Sequence, residues 1–353
     1  MPDWKRSMKQ TFEYYIVDVG TWADKTRLDK IENASITRDL DDDTLGSASI
    51  TSDDDYSDKY IRCYLVTEQD GIQEKEILGT HLYQSPSTEY QSTRHSSTQD
   101  GYTPLIELNE KLPPYGYTVF SGVNIINLAG TLVKDNARAP VALGDSTGTL
   151  SDDFVANTDD TWLTFLKDFI ANDKYHFGIE PNGRIVFEKD QDPQGLSPVW
   201  IYDDGNSSIL LPDLTLARDL YGIPNVVEVI YSPSNGTAMH VRVVNNDPAS
   251  PVSTVKRGRE IVYRDTNPNV VDTVTEGQLT EYAKDVLKQK SSLEYTISYK
   301  HGYCPVRLGD CVMLNYKTAG LTNVKAKVIR QVINCTTGCT VDETAVFTKQ
   351  LWG

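Results

Sequence analysis

Hydrophobic and polar positions alternate with a period of two over most of this chain, and shift to a period near 3.6 in only a few segments. Phe12-Glu13-Tyr14-Tyr15-Ile16-Val17-Asp18-Val19 is dense in β-forming residues. The runs 31–37 and 47–51 flank an acidic connection, Asp39 to Gly46, and read as two strands. Tyr60 to Val66 alternates, turns at Gln69-Asp70-Gly71 and returns over 72–82, a hairpin signal. Residues 83–104 are rich in Ser, Thr and Gln with little apolar content, which predicts a loop. A single helical turn or strand over 102–112 is stopped by Leu112-Pro113-Pro114.

The middle of the chain is mixed. Residues 124–133 predict a helix with Ile125, Ile126, Ala129, Leu132 and Val133 inward. Residues 141–160 predict a loop, with Thr158 or Asp159 capping the next helix. Trp162, Phe165, Leu166, Phe169 and Ile170 form the apolar face of that helix. Tyr175 to Ile179 and Ile185 to Glu188 flank Asn182-Gly183, a second hairpin. Strands are predicted at 226–231 and 239–244, and then a polar connection, 245–263, with a short strand at its end.

The last eighty residues carry the clearest pattern. Thr275-Glu276-Gly277-Gln278 reads as a capping box. Leu279, Tyr282, Ala283, Val286 and Leu287 follow at helical spacing. The period then becomes two: Tyr295, Ile297 and Tyr299 face one way, Thr296, Ser298 and Lys300 the other. The turn Pro305-Val306-Arg307-Leu308-Gly309-Asp310 precedes a strand at 311–316, a turn containing Gly320 and a strand over 326–333.

This order of helix, long strand, Arg307-Leu308-Gly309-Asp310 turn and two more strands resembles the C-terminal part of phage tail hub proteins, the trimeric adaptors between a six-fold tail tube and a three-fold spike or tip. Two further stretches resemble the same family in the same order. One is the strand, Arg38-Asp39-Leu40 turn and strand of 34–50. The other is Trp162 and Leu166 followed by Phe177-Gly178-Ile179 and Asn182-Gly183-Arg184-Ile185-Val186-Phe187, as in the family's inserted α/β domain. The stretch with Pro248, Ser250, Pro251, Gly258 and Arg259 is also similar to that insert.

The resemblance implies a mainly β (α+β) chain with two tube-type β-barrel domains and an inserted α/β domain. The domains would be 1–123, 124–296 and 297–353, with the strand 226–231 returning to the barrel layer. It implies a structural virion protein, a late product of a bacteriophage, assembled in the host bacterial cytoplasm into the tail baseplate or tip. The partners would be two further copies of itself, the tail tube or distal tail protein, the spike or tip protein, and the tape-measure protein. DNA would be met only in transit through a central channel, and membrane not at all. Two alternatives accompany this: a receptor- or glycan-binding baseplate protein, and the hub of a phage-tail-like bacteriocin or contractile injection system.

Composition narrows the chemistry. There are 34 Lys and Arg against 50 Asp and Glu, a formal charge of −16, which disfavours non-specific binding to nucleic acid or anionic lipid. Either solubility or an acidic conduit accounts for it. No apolar run reaches the roughly 18 residues of a membrane span, and the N-terminus lacks the apolar stretch of a signal peptide. The sequence ends at Leu351-Trp352-Gly353, and no fused cell-wall hydrolase is expected.

The acidic cluster Asp39, Asp41, Asp42 and Asp43 fails as a calcium loop, because Thr44 and Ile50 stand where Gly and Glu are required. Asp53, Asp54, Asp55 and Asp58 read as a solvated turn. The odd count of five cysteines, Cys63, Cys304, Cys311, Cys335 and Cys339, argues against a disulfide framework. Two readings of the last four stand: a zinc site or disulfide if the strands converge, or buried thiols. The histidines His81, His95, His176, His240 and His301 match no metal-protease spacing, and no nucleophile elbow or phosphate loop occurs. No catalytic, cofactor-binding or metal-ligating residue is therefore assigned, no cofactor is expected, and the chain is expected not to be an enzyme. Twenty tyrosines and five tryptophans suit either strand faces and interfaces or stacking on sugars.

Overall fold

The computed structural model describes residues 2–92, 94–189, 191–205, 208–233, 237–270 and 274–352. The chain is mainly β. Its elements begin with β1 (Lys9–Val17), β2 (Asp24–Leu28), β3 (Ile31–Asp39), β4 (Gly46–Ser52), β5 (Lys59–Gln69), β6 (Ile72–Gln91) and β7 (Arg94–Tyr102). Next come α1 (Ile106–Asn109), β8 (Thr118–Val119), α2 (Ile125–Asn136), β9 (Val141–Ala142), β10 (Phe154–Val155), α3 (Trp162–Ala171), β11 (Tyr175–Ile179) and β12 (Ile185–Lys189). Then follow β13 (Trp200–Asp203), β14 (Leu210–Arg218), β15 (Val226–Tyr231), β16 (Met239–Val244), α4 (Thr254–Arg257), β17 (Val262–Asp265) and α5 (Glu276–Lys290). The last are β18 (Ser292–Gly302), β19 (Cys311–Tyr316), β20 (Leu321–Asn334) and β21 (Thr340–Gln350).

Contacts divide the chain into two compact units, Met1–Leu214 with Ser298–Ala345, and Thr215–Ile297 with Val346–Gly353. The segment 124–296, expected as one inserted domain, gives its residues up to Leu214 to the first unit and the rest to the second.

The first unit holds most of a large sheet in the order β14-β18-β21-β20-β3-β4-β7-β6-β5-β1-β2, with β19 added to β20 and β13 to β19; parts of β14, β18 and β21 belong to the second unit. Side chains from strands far apart in that order share one core: Tyr14 of β1, Cys63 and Leu65 of β5, Ile50 of β4, Ile36 of β3 and Ile333 of β20. The sheet therefore curls around this core. Period-two alternation produces it, since one side of each strand is apolar.

A second core lies in the same unit. The inward faces of α2 and α3 pack on β11 and β12 through Ile126, Val133, Phe165, Phe169, Phe177 and Ile185. The turn between β11 and β12 needs its glycine. Gly183 has φ +83°, and a Cβ there would lie 3.0 Å from Thr80 and Trp22. The Trp22 indole N–H donates to the neighbouring Asn182 carbonyl at 2.7 Å.

The second unit holds a three-stranded sheet, β16-β15-β17. One face of α5 covers it, with Leu279, Ala283 and Leu287 against Val227, Val229, Val241 and Val243. The capping box of Thr275 and Gln278 forms as expected.

Three expectations are corrected. Residues 83–104 are not a loop: β6 continues to Gln91, and β7 lies between β6 and β4. The polar composition hid this because hydrogen bonding, not apolar burial, fixes the inner side chains. Gln99 is fully buried, accepts from Tyr56 N at 2.7 Å and donates to the Asp54 carbonyl at 2.8 Å. The cap of α3 is Thr161, not Thr158 or Asp159, because Thr161 and Thr164 bond reciprocally. Strand 226–231, expected to return to the barrel layer, instead pairs as β15 with β16 and β17, and its Val227 and Val229 are needed under α5.

Candidate functional site

The densest set of chemically active side chains is a buried cluster in the first unit. Alternation on β18 turns Tyr299 and His301 inward, where they meet Tyr202 of β13, Cys304, Gln331 of β20 and Glu343 of β21, all buried. Tyr299 donates its hydroxyl to one oxygen of Glu343, and Gln331 Nε2 donates to the other at 2.6 Å. His301 Nε2 lies 3.4 Å from Glu343 and 3.1 Å from the Tyr202 hydroxyl. Gln331 in turn accepts from Arg38 Nη1 at 2.9 Å, while Arg38 Nη2 donates to the Leu78 carbonyl at 2.7 Å.

Cys304, His301 and Glu343 are the residue types of a thiol nucleophile, base and orienting acid. The geometry does not make them one. His301 Nδ1 is 2.7 Å from the Gly302 carbonyl, so it carries a proton directed there, and it is 3.9 Å from Cys304 Sγ. Burial alone would lower the His301 pKa. Hydrogen bonds to Cys304 and Glu343, with the Glu343 charge, outweigh it and hold the imidazole at about 10. A charged imidazolium with acceptors at both nitrogens, sealed from solvent, is a structural ion pair. Its cost in desolvation is offset only while every partner stays in place.

A cavity of about 220 Å³ lies beside this cluster, between the large sheet and β11–β12. Most of its polar groups are already bonded: Thr80 Oγ1 donates to the Pro181 carbonyl at 3.0 Å and Thr103 Oγ1 to the Thr44 carbonyl at 2.5 Å. His81 faces it, with no hydrogen-bond partner among the described residues. Burial, and then the nearby Arg38 charge, lower its pKa to about 3.

The acidic residues of the sequence do not converge. Asp39 pairs with Arg330 at 3.0 Å, Asp43 with Lys167 at 2.9 Å and Asp54 with Lys30 at 3.1 Å, while Asp42 and Asp55 hold turns through Thr44 and Ser57. Among the described residues no group of His, Cys, Asp and Glu is arranged to hold a metal ion. All five cysteines are free and buried. Cys335 has a neighbour that its spacing did not suggest: Cys63 Sγ lies 4.0 Å away. Nor did the sequence point to Arg38, Gln331 and Glu343 as one network.

What the sheet leaves open is at its edges. β2 is five residues long, and its charges are used within the chain: Asp24 bonds Arg62 at 2.8 Å, Lys25 pairs with Asp18 and Arg27 with Glu13. At the other end of the order is β14, nine residues long, with every residue but Leu210 and Leu214 exposed. Leu211 and Leu216 are on its surface, and among the described residues Asp213 and Arg218 make no ion pair. Pro212 removes one donor, a residue type sheets tolerate at an edge, and its carbonyl accepts from the Tyr316 hydroxyl at 2.5 Å. A long apolar edge without a cover is a template for pairing with another chain.

No protein-family model matches this chain, and no curated protein matches it. Solved structures do. The tail protein from Neisseria meningitidis MC58 superposes with a TM-score of 0.61 at 13% identity, covering 97% of this chain and 98% of that one. The 43 kDa tail protein of prophage MuSo2 from Shewanella oneidensis gives 0.58 at 12%, covering 95% and 98%. An E. coli component of the type VI secretion system, described as structurally similar to the T4 bacteriophage tail proteins gp27 and gp5, gives 0.50 at 9%, covering 92% of this chain and 75% of that one. The fold is that of phage tail proteins, as the motifs led one to expect. No helix among the described residues is long and apolar enough to cross a membrane.

Proposed function

We propose that this chain is a structural protein of a bacteriophage virion, the hub of the tail baseplate or tip. The observation that carries the reading is the end-to-end likeness to tail proteins, which covers 97% of this chain. Three copies form a ring, two tube-type barrels per chain giving six near-equivalent contacts toward the tail tube and three equivalent contacts toward the spike or tip. In this scheme residues 1–123 and 297–353 supply the barrels, and 124–296 the insertion. The free edge of β14 supports self-association, since pairing it removes an exposed edge. The partners are the tube or distal tail protein, the spike or tip protein and the tape-measure protein, and DNA passes through without being held. The protein works by assembly and not by catalysis.

The likeness to a type VI secretion component favours one second reading, the same part in a contractile injection system or bacteriocin. Negative-stain class averages of the purified chain at micromolar concentration test both. Three-fold rings with a central hole are the expected result, and compact single-chain particles argue against autonomous ring formation.

A further inference from the structure

The core of the first unit holds two thiols in contact. Cys63 sits in the middle of β5, paired on one side with Tyr14 of β1 and on the other with Gly79 of β6. Cys335 follows β20 and is tied to β3 by its own N–H, which donates to the Ala34 carbonyl at 3.0 Å. The two sulfurs are 4.0 Å apart although the residues are 272 apart in sequence. Both are buried in the core that also holds Ile36, Ile50 and Ile333. The other cysteines outside that core are differently engaged: Cys304 Sγ lies 3.3 Å from the Tyr202 hydroxyl, and Cys311 Sγ faces its neighbour's carbonyl.

We propose that Cys63 and Cys335 are a latent disulfide, closed by a small peroxide oxidant after the chain has folded. Two sulfurs in van der Waals contact need to approach to about 2.05 Å, a movement that side-chain rotation supplies where the backbones are already fixed. In the first step one thiol takes an oxygen from hydrogen peroxide, forming a sulfenic acid and releasing water. In the second the other thiol attacks that sulfur, and a second water leaves. The two cysteines together lose two hydrogens and two electrons, which reduce the peroxide to two waters. The bond would join the N-terminal strands to the C-terminal ones around the shared core.

The environment also sets the timing. The hydrogen bond with Cys63, and then burial, push the Cys335 thiol well above its ordinary range. The thiolate is therefore scarce at neutral pH and closure is slow. In a reducing cytosol the pair stays open. That the bond would close after release of a particle rests on the tail reading. The chemistry of the pair does not.

The test uses the full chain, held either in reductant or in hydrogen peroxide, then unfolded, alkylated, weighed and mapped by peptide mass spectrometry. The reduced protein should take up one alkyl group at each of its five free thiols, and the oxidised protein two fewer, with the Cys63 and Cys335 peptides joined. The link should form faster as pH rises, persist in Cys311→Ala and vanish in Cys63→Ala. Five alkylations after peroxide, oxidation of these sulfurs without a link, or a bond between Cys335 and Cys339 would each overturn the proposal. Ring formation is not read by this experiment, so its result is independent of the hub assignment.

Discussion

The interior cluster around Glu343 and the edge strand β14 use hydrogen-bonding capacity in opposite ways. Inside, both oxygens of Glu343 are taken by Tyr299 and Gln331, with His301 beside them. Gln331 is held in turn by Arg38, which is anchored on the Leu78 carbonyl, so a chain of polar groups is satisfied within one protein chain. At β14, which ends the strand order, two leucines are exposed and, among the described residues, Asp213 and Arg218 have no ion-pair partner. The first arrangement specifies one fold of one chain. The second leaves capacity for another chain. At β2, which ends the same sheet, the strand is short and its charges are paired internally, features that make an edge a poorer template for another chain.

The comparison breaks most severely at Glu343. In Glu343→Ala, Tyr299 and Gln331 lose their acceptor and the His301 charge is left buried and unpaired. Denaturant unfolding should show a loss of about 3–5 kcal/mol. A loss under about 1 kcal/mol would mean that the cluster is not the ion-paired network described. At β14 the expectation is reversed. Leu211→Lys with Leu216→Lys should weaken self-association by about tenfold or more, some 1.4 kcal/mol, with chain stability changed by only about 0.5 kcal/mol. Sedimentation of the variant beside denaturant melts separates the two effects.

Two histidines of the first unit make a prediction in pH. His81 has a folded pKa of about 3, below the ordinary 6.5, because of burial and then Arg38. Between those values the unfolded chain binds a proton that the folded chain does not, so stability falls as pH drops from 6.5 toward 3. His301 has a folded pKa of about 10. Its contribution is fully present below 6.5 and is lost as pH rises through 10. Together they place a maximum near pH 6.5, with slopes of up to about 1.4 kcal/mol per pH unit on either side. In His81→Leu the acid side should flatten while the alkaline side persists; an unchanged acid limb would contradict the assignment. The smallest effect belongs to β2: Lys25→Ala removes an exposed pair and should change neither association nor stability beyond about 0.5 kcal/mol, by the same two measurements.

The elements legible in the sequence were those whose side chains alternate in hydrophobicity. Tyr295, Ile297 and Tyr299 announced β18, Trp162 to Ile170 announced α3, and Thr275 with Gln278 fixed the start of α5. Residues 83–104 were not legible, because β7 buries Ser97 and Gln99 instead of apolar residues, and beyond its hairpin with β6 it pairs with β4, about fifty residues earlier. The fate of 226–231 turned on which face α5 covers, a tertiary matter. At the site level the sequence displayed every ionisable residue but not their distances. Glu343 looked like any other acid, in a stretch where no strand was predicted, and Cys63 like a stray cysteine. The two edges were equally hidden: whether a strand ends a sheet depends on what pairs with it.

We propose that copies of this chain associate through β14. Hydrogen exchange of the backbone amides, followed by mass spectrometry at rising protein concentration, tests it most directly. The account predicts that amides of β14 beyond Pro212 become protected as assembly proceeds, in step with a rise in mass, while those of β2 exchange as before. Assembly without new protection in β14, or protection appearing at β2 instead, would contradict it.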